Sequence, residues 1–474
     1  GEGNIAEFVK YIPGVAIDYS GNLGIGISIR GFPGSATLVT LDGGEVASTA
    51  MDQFGAPTRA PGLESLRINN MSRIEVTKVP TPDLPANAQG GSVNVISKNG
   101  FERRDPLFSY RGFLTFNSRS FGTTGLRRRT GSREDLSARP LQPGFKVSYE
   151  IPVNKAFAFT LSGGSVTRLY QYRGVSTPWN LTTNVLSGVT INAQEQLTGA
   201  TDAALTGEWR IGPANVLRAT LLYVDTVAYR SLNRMNMEFG AGASGGRDFV
   251  QGAATGVGAA SFGNPNTAQV NNKTLQLNLG YAYRQGSWKA DVYGFVARSR
   301  NAGRDIDQGF FNRVDLDLAN LVIRGDGLYA GMPRVALPRQ ITAVNRLGQP
   351  VDLFDGGIYS VSRVISRQSD GTDGKTGLKA DLTREFGRGF TLKTGMAVNL
   401  QDRDYRENFR RWDFRPTGTA ADRLASNFEL IDPVYSRTAQ NYFPGRQVQW
   451  PSLEKLHQLF QAHPEYFVLN ESNS

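Results

Sequence analysis

Between residues 107 and 402 the connections between extended segments alternate in length, and few architectures tolerate such an alternation. Roughly nine segments read as long strands by their period of two. Every second junction is tight: Asn154–Lys155, Gly212–Asn215, Arg284–Ser287 and Gly387–Gly389. The junctions between those run on the order of 25 to 75 residues. Short turns at one end and long loops at the other fit an antiparallel sheet that crosses an outer membrane, turns in the periplasm and loops outside. The expected fold class is mainly β, with membrane-crossing strands of about 10 to 13 residues.

The side chains follow the same logic. VSYEIPV places Val147, Tyr149, Ile151 and Val153 on one face and Ser148 and Glu150 on the other. KTLQLNLGYAYR sets Leu275, Leu277, Leu279, Tyr281 and Tyr283 against Gln276 and Asn278. TGLKADLTREF sets Leu378, Ala380 and Leu382 against Lys379, Asp381, Thr383 and Glu385, and FTLKTGMAVNL sets Phe390, Leu392, Met396, Val398 and Leu400 against Lys393 and Asn399. Trp288–Arg298 is the weakest strand, because Tyr293 and Phe295 share a face with Lys289 and Asp291. Phe157, Trp209, Tyr283, Trp288, Phe386 and Phe390 cluster beside the short turns, as an interfacial aromatic girdle would.

Composition narrows the chemistry. Among 474 residues there is no cysteine, which removes disulfides, thiolate metal sites and thiol nucleophiles. His457 and His463 are the only histidines and stand six residues apart with no acidic cluster at metal spacing. Asp370 and Asp373 in SDGTDGKTG lack a calcium loop's ligand ladder and read as a polar turn. GNLGIG (Gly21 to Gly26) precedes a strand and not a helix, so it is no nucleotide fingerprint. With no catalytic constellation to argue, neither an enzyme nor a metal or cofactor is expected. The net charge of +10 comes from scattered residues, with Arg127 to Arg129 in a predicted loop. That argues against nucleic acid and leaves outer-membrane lipid, anionic lipopolysaccharide or an acidic ligand as the better partners, with an ordinary solvated loop as the simplest reading of the charge.

Residues 1–102 differ from the rest, 103–474. Asn4 and Glu7 form a capping-box pair for a short helix with Ile5, Phe8, Val9 and Ile12 on one face, ended by Pro13–Gly14. Short strands follow at Ile27–Phe32, Ala36–Gly43, Arg73–Val79 and Ser92–Ser97. In order, NIAEFVKYIPGVAI, ISIRGF, LDG, RIEVTKVPTPD and GGSVNVISK resemble the plug domain of TonB-dependent outer-membrane receptors.

The resemblance implies a plug inside a barrel of about 22 strands, of which about nine are expected here. It implies uptake of a scarce nutrient (an iron–siderophore, cobalamin or an oligosaccharide) captured outside and passed inward by a TonB energy-transducing complex that pulls on the plug. By its motif, Arg30, Gly31, Asp42, Gly43, Glu75, Gly90 and Gly91 are plug signature positions. Arg30 and Lys78 are the expected charge contacts to the barrel wall. Tyr19, Ser20, Asn22, Ser35, Met51, Gln53 and Phe54 are the expected ligand-facing apices. In VPTPDLPANAQGG the chain departs from the family pattern, and Pro80, Pro82 and Pro85 are read as stiffening a loop. The segment Arg403–Phe414 is expected in an external loop, rich in arginine and aromatics, and Ser452–Ala462 as a helix in the last loop. A signal peptide, a TonB-contact segment and about 13 further strands are expected outside this stretch. The competing readings are a passive porin, which does not need a separately patterned N-terminal module, and a surface receptor or adhesin that transports nothing.

Overall fold

The computed structural model describes residues 5–473 apart from 21–22, 50–62, 64–65, 67, 81–83, 86, 117–120, 123–124, 127–140, 247, 265, 329–336, 417, 439–442 and 444. Asn4, Asn22, Met51, Gln53, Phe54, Pro82 and Arg127 to Arg129 lie outside the described residues.

In the N-terminal module a four-residue helix, α1 (Ala6–Val9), buries Ile5, Ala6 and Val9 while Phe8 is half exposed, so Phe8 does not join the buried face expected for it. With only one turn, three apolar positions exhaust the contact surface. A hairpin follows, β1 (Val15–Ser20) with β2 (Leu23–Ile29). The four-stranded sheet is ordered β4 (Gly44–Glu45), β3 (Thr37–Leu41), β6 (Gly91–Ser97), β5 (Met71–Thr77), with β3 and β6 parallel. Val39, Leu41, Val93 and Val95 form its core face with Ile27 and Ile29.

Two motif turns have a backbone reason. Asp42 and Gly43 are both left-handed, φ 47° and 87°, as the two-residue connection between β3 and β4 requires. Arg30 and Gly31, φ 53° and 83°, turn the chain so that Phe32 N–H donates to the Ile29 carbonyl at 3.0 Å. Gly91 has φ 117°, and a Cβ there would strike the Thr77 carbonyl.

The wall is an antiparallel meander: β7 (Leu107–Phe116), β8 (Leu141–Pro152), β9 (Phe157–Ser176), β10 (Gly188–Arg210), β11 (Asn215–Glu238), β12 (Ala268–Gln285), β13 (Trp288–Arg304), β14 (Ser360–Phe386) and β15 (Phe390–Phe414). Each pairs with the next. The four tight turns fall at one end, as expected. Among the described residues β7 and β15 do not pair with each other; Phe467–Leu469 pairs with the top of β15.

Lower down, the outer face is apolar and open: Leu221, Leu275, Leu277, Leu279, Val292, Val296, Leu378, Leu382, Leu392, Met396, Val398 and Leu400 are all more than a third exposed. The opposite parity is small or polar and buried: Thr160, Ser162, Thr206, Thr220, Thr274, Gln276, Asn278 and Ser299. No helix among the described residues is long and apolar enough to cross a membrane; strands with an apolar outer face are the elements built to do so.

Three expectations need correction. Strands exceed 13 residues: β14 runs 27 and β11 runs 24. SDGTDGKTG is therefore mid-strand and not a polar turn. Arg403–Phe414 is the upper half of β15 and not a loop. The reason is the same in each case. Above the apolar band a strand needs no aliphatic face toward lipid, so its alternation becomes Gly, Asp and Arg and looks irregular. The ladder itself continues, Arg367 opposite Phe409 and Gly371 opposite Tyr405.

These upper halves carry the largest apolar cluster in the chain. Val189, Ile191, Met235, Met237, Phe262, Leu316, Trp412 and Phe414 lie on the side of the sheet that faces outward lower down. Loop residues cover them, among them Phe310, Phe311, Tyr435, Trp450, Leu453 and Leu456. The expected helix is present as α2 (Leu453–Ala462), with Ser452 as N-cap accepting from Lys455 N–H at 3.2 Å. His457 is buried on it against Phe311 and Phe460. His463 stacks on Tyr466.

Candidate functional site: where the module meets the wall

The N-terminal module touches the inner face of the wall through an apolar patch, where Ala204, Leu222 and Val224 join the module's core, and through a set of discrete polar contacts. The β3–β4 hairpin provides most of them. Asp42 faces Arg218 at 3.5 Å and accepts from Thr220 Oγ1 at 2.8 Å. Arg218 also donates to the Ser97 carbonyl at 2.6 Å. Ser97 N–H in turn donates to Asp42 at 2.9 Å, so β6, the hairpin and the wall close one network. Asn278 and Tyr293 both donate to the Leu41 carbonyl, at 3.0 and 3.3 Å.

At the tip, Gly43 and Gly44 lie against two rings. A Cβ at Gly43 would sit 3.5 Å from the Tyr293 ring, and one at Gly44 would be 2.9 Å from Phe295 Cβ. This explains why Trp288–Arg298 patterns poorly. Tyr293 and Phe295 face inward to receive the hairpin, so the strand carries aromatics on both sides.

A second node is Glu45, buried at 6% exposure. It accepts from Lys375 Nζ at 3.0 Å, Asn399 at 2.9 Å and Asn87 at 3.2 Å. Ser48 N–H donates to Asp373 at 2.8 Å, and Thr49 hydrogen-bonds Ser299 at 3.1 Å. Asp373, expected in a polar turn, thus faces the module, while Asp370 points outward and pairs with Arg304 at 2.7 Å. At the tight-turn end of the wall Glu150 takes Lys98 at 3.3 Å and Arg103 at 3.0 Å. Asn99 donates to Glu208 at 2.6 Å, and Arg210 lies 3.7 Å above the Phe101 ring.

Between the outer face of the module's sheet and β11–β15 lies a cavity of about 770 Å³ with a mixed apolar and charged lining. Asp42, Gly43, Glu45, Arg73 and Glu75 line one side, and Arg218, Tyr293, Lys379 and Asp381 the other. A smaller space of about 260 Å³ adjoins it at Glu45, Lys375 and Gln401.

This is the arrangement of a small module seated against one face of a strand wall. Residues 1–93 match the family of the TonB-dependent receptor plug domain. The N-terminal module is a TonB-dependent receptor plug domain. Receptors built on this plug are Gram-negative outer-membrane transporters and not enzymes. No curated protein matches the chain. Among solved structures, the siderophore receptor PirA from Acinetobacter baumannii is 12% identical, with 88% of this chain and 76% of that one covered and a TM-score of 0.32. The ferric-catecholate import receptor Fiu from E. coli K12 is 15% identical, covering 88% and 61%, with a TM-score of 0.35. The copper transporter OprC is 13% identical, covering 88% and 62%, with a TM-score of 0.27.

The signature residues divide into groups. Asp42, Gly43 and Glu75 reach the cavity; Gly90 and Gly91 let the plug sheet close on Phe32 and Thr77. Arg30 is exposed and Lys78 half-buried, and neither has an ion-pair partner among the described residues. Tyr19 and Ser35 are exposed, and Ser20 ends β1. Glu45, Lys98, Arg103, Glu150, Arg218 and Lys375 were missed by sequence reasoning. For Glu150, Arg218 and Lys375 the signal was present, since each is a charge at a wall-strand position of inner parity, where a bare charge needs a partner; Glu45 lies on a two-residue strand of the module, and Lys98 and Arg103 lie outside any strand.

Proposed function

We propose that this chain works as an outer-membrane receptor in which the plug gates TonB-energised uptake of a scarce small nutrient, an iron–siderophore, cobalamin or an oligosaccharide. The observation that carries the reading is the kind of seal. Separate ion pairs and single hydrogen bonds around Asp42, Glu45 and Glu150, beside one small apolar patch at Leu222 and Val224, hold a body in place yet break one at a time under force. An apolar seal of equal area would not release stepwise. The cavity beside the hairpin gives the plug room to shift. In this reading the plug apices, Tyr19, Ser20, Asn22, Ser35, Met51, Gln53 and Phe54, face the ligand. Arg30 and Lys78 hold the plug to acidic wall side chains.

The test is a reversible tether. Thr49 and Ser299 lie within hydrogen-bond distance across the interface, and the chain has no cysteine to interfere. Thr49→Cys with Ser299→Cys, oxidised, is expected to stop uptake of whichever ferric siderophore, cobalamin or oligosaccharide the cells import through this receptor. Dithiothreitol is expected to restore it, and deletion of TonB to abolish it. Uptake that ignores both the tether and TonB refutes the reading in favour of a passive pore.

A further inference from the structure

Glu45 stands between two spaces, and each of them holds a lysine. The space of about 260 Å³ is lined by Glu45 and Lys375, and the cavity of about 770 Å³ by Glu45 and Lys379. Pro85, Phe295 and Asn399 border both. The carboxylate is engaged with the first lysine: Lys375 Nζ donates to it at 3.0 Å, Asn399 at 2.9 Å and Asn87 at 3.2 Å.

The register sets the second lysine on the same track. Lys375 and Lys379 share the inner parity of β14, four residues or about 13 Å apart, with Lys379 nearer the tight turn at Gly387–Gly389. Gly377, midway between them, has no side chain, and the Phe295 ring lies over it. Asn399 stands opposite Gly377, level with the midpoint. A shift of the carboxylate by about 7 Å toward the tight turn, one repeat of the pleat, therefore exchanges Lys375 for Lys379 while the Asn399 amide stays within reach.

Three features favour the exchange. The larger cavity extends on that side, down to the row Val216, Ala282, Asp291 and Asp381, one inner position below the row of Arg218, Tyr293 and Lys379. Glu45 is carried on a two-residue strand preceded by Gly43, so the backbone before it is free to re-aim. Lys379 faces Asp381 at 3.3 Å, and Lys393 reaches the same carboxylate at 3.8 Å, so Asp381 keeps a cation when Lys379 turns away. Neither position strands a charge, which is what makes the loss of a buried partner costly.

We propose that Lys379 is a second seat for Glu45, taken when the plug is drawn toward the tight-turn end, so that the hairpin has two defined positions and not one. Lys379 is then a positioning residue for plug displacement. The assignment rests on the reading that TonB draws on the plug.

Thr49→Cys in the whole receptor, in cells with and without TonB, tests it. Thr49 is buried against Ser299 at 3.1 Å, and this chain has no cysteine. The second seat holds the hairpin down and Thr49 out of its niche, so maleimide labelling is expected to run at least fivefold faster with TonB than without. Lys379→Met is expected to remove most of that rise and Lys379→Arg to keep it. Glu45→Lys with Lys375→Glu rebuilds the first seat with its charges reversed and sets like charges at the second. That receptor should label slowly without TonB and show no rise with it. Adding Lys379→Glu should bring the rise back, which a merely structural lysine would not do. A full rise in Lys379→Met, or a third reversal that restores nothing, overturns the second seat. Faster labelling of Lys379→Met in cells without TonB also overturns it, since Lys379 would then support the first seat. No rise in the receptor carrying Thr49→Cys alone overturns instead the reading on which the assignment rests.

Discussion

Lys375 is the place to test whether a few polar contacts hold the plug. Its ammonium meets Glu45 at 3.0 Å, with side chains 18% and 8% exposed. Lys375→Met keeps the length of the side chain and removes the charge. The Glu45 carboxylate then keeps two neutral amide donors, Asn399 at 2.9 Å and Asn87 at 3.2 Å. Stripping a buried pair of one partner costs about 3–5 kcal/mol, and a charge-assisted hydrogen bond contributes about 1.5–3 kcal/mol. With two donors remaining, about 2 kcal/mol is the expected loss, or roughly a 30-fold rise in the population of the unseated hairpin. Thr49→Cys reports it, since Thr49 is buried at 5% exposure and the chain has no other thiol. Under conditions where unseating is faster than labelling, the rate at which a maleimide modifies the introduced thiol follows that population. Glu45→Gln combined with Lys375→Met is expected to label more slowly than Lys375→Met alone, because no charge is left stranded. A rise below about threefold for Lys375→Met, or a double variant in which the two single effects simply add, would refute the argument.

Four further outcomes follow from the same geometry. Gly44→Val drives a branched side chain into Phe295, 2.9 Å from where its Cβ would lie, and should cost about 1–3 kcal/mol; faster labelling of the same introduced thiol reads it. Leu279→Arg, on the outer face and 48% exposed, should destabilise the folded wall by about 2–4 kcal/mol in a bilayer, read as a lower urea midpoint in the heat-modifiability assay. Tyr435→Phe removes a fully buried O–H that donates to Glu195 at 2.8 Å, and should speed trypsin cleavage at the exposed Arg437 by about tenfold. Burial holds the His457 imidazole below its ordinary value, against a smaller opposing effect of its bond to the Ile306 carbonyl. The cap stability it contributes is present above about pH 6.5 and lost as pH falls through the lower folded value, so cleavage at Arg437 should accelerate on acidification. His457→Gln should flatten that rise. The buried Asp305 carboxyl, pushed up by burial, works in the opposite sense and remains in both proteins.

The sequence was legible where lipid and backbone geometry leave no alternatives. Leu275, Leu277 and Leu279 could face only an apolar solvent, and the tight turns at Asn154–Lys155 and Gly387–Gly389 fixed which end was which. Asp42–Gly43 reads as the end of the strand Ala36–Gly43, whereas the strand stops at Leu41 and both residues turn left-handed to close a two-residue hairpin. The wall's partners for the plug were not legible. Lys375 reads as one more charge in a glycine-rich stretch, because what pairs with it lies 330 positions away. The upper strands were lost for a related reason: Arg403–Phe414 alternates correctly, but its apolar residues Trp412 and Phe414 meet a loop core and not lipid, so the pattern has no single period of environment.

That last point bears on how such a wall is built. One uninterrupted ladder, twenty-three paired positions between β10 and β11, passes through three surroundings without a bulge. At the level of Leu221 its outer face meets lipid and its inner face, at Leu222, meets the plug core. At Asp225 the outer face is charged. At Met235 and Met237 it is buried under the loops, while Thr190, Asn192, Arg234 and Asn236 on the inner side stay polar and hydrogen-bond across the strands. Backbone pairing is indifferent to all of this. The ladder can therefore be continuous while selection acts separately on each height: aliphatics for the apolar band, aromatics for the cap, and single polar groups for the plug. A strand of 24 residues is thus read most usefully by height, with the parity fixed once at the lower turn and carried upward. It follows that a one-residue insertion at Gly199, between the plug-contact level and the cap, would swap the Val189–Ile191–Ala193 face with Thr190–Asn192–Gln194. The cap over Met235 and Met237 would then be lost while the lower wall stayed intact.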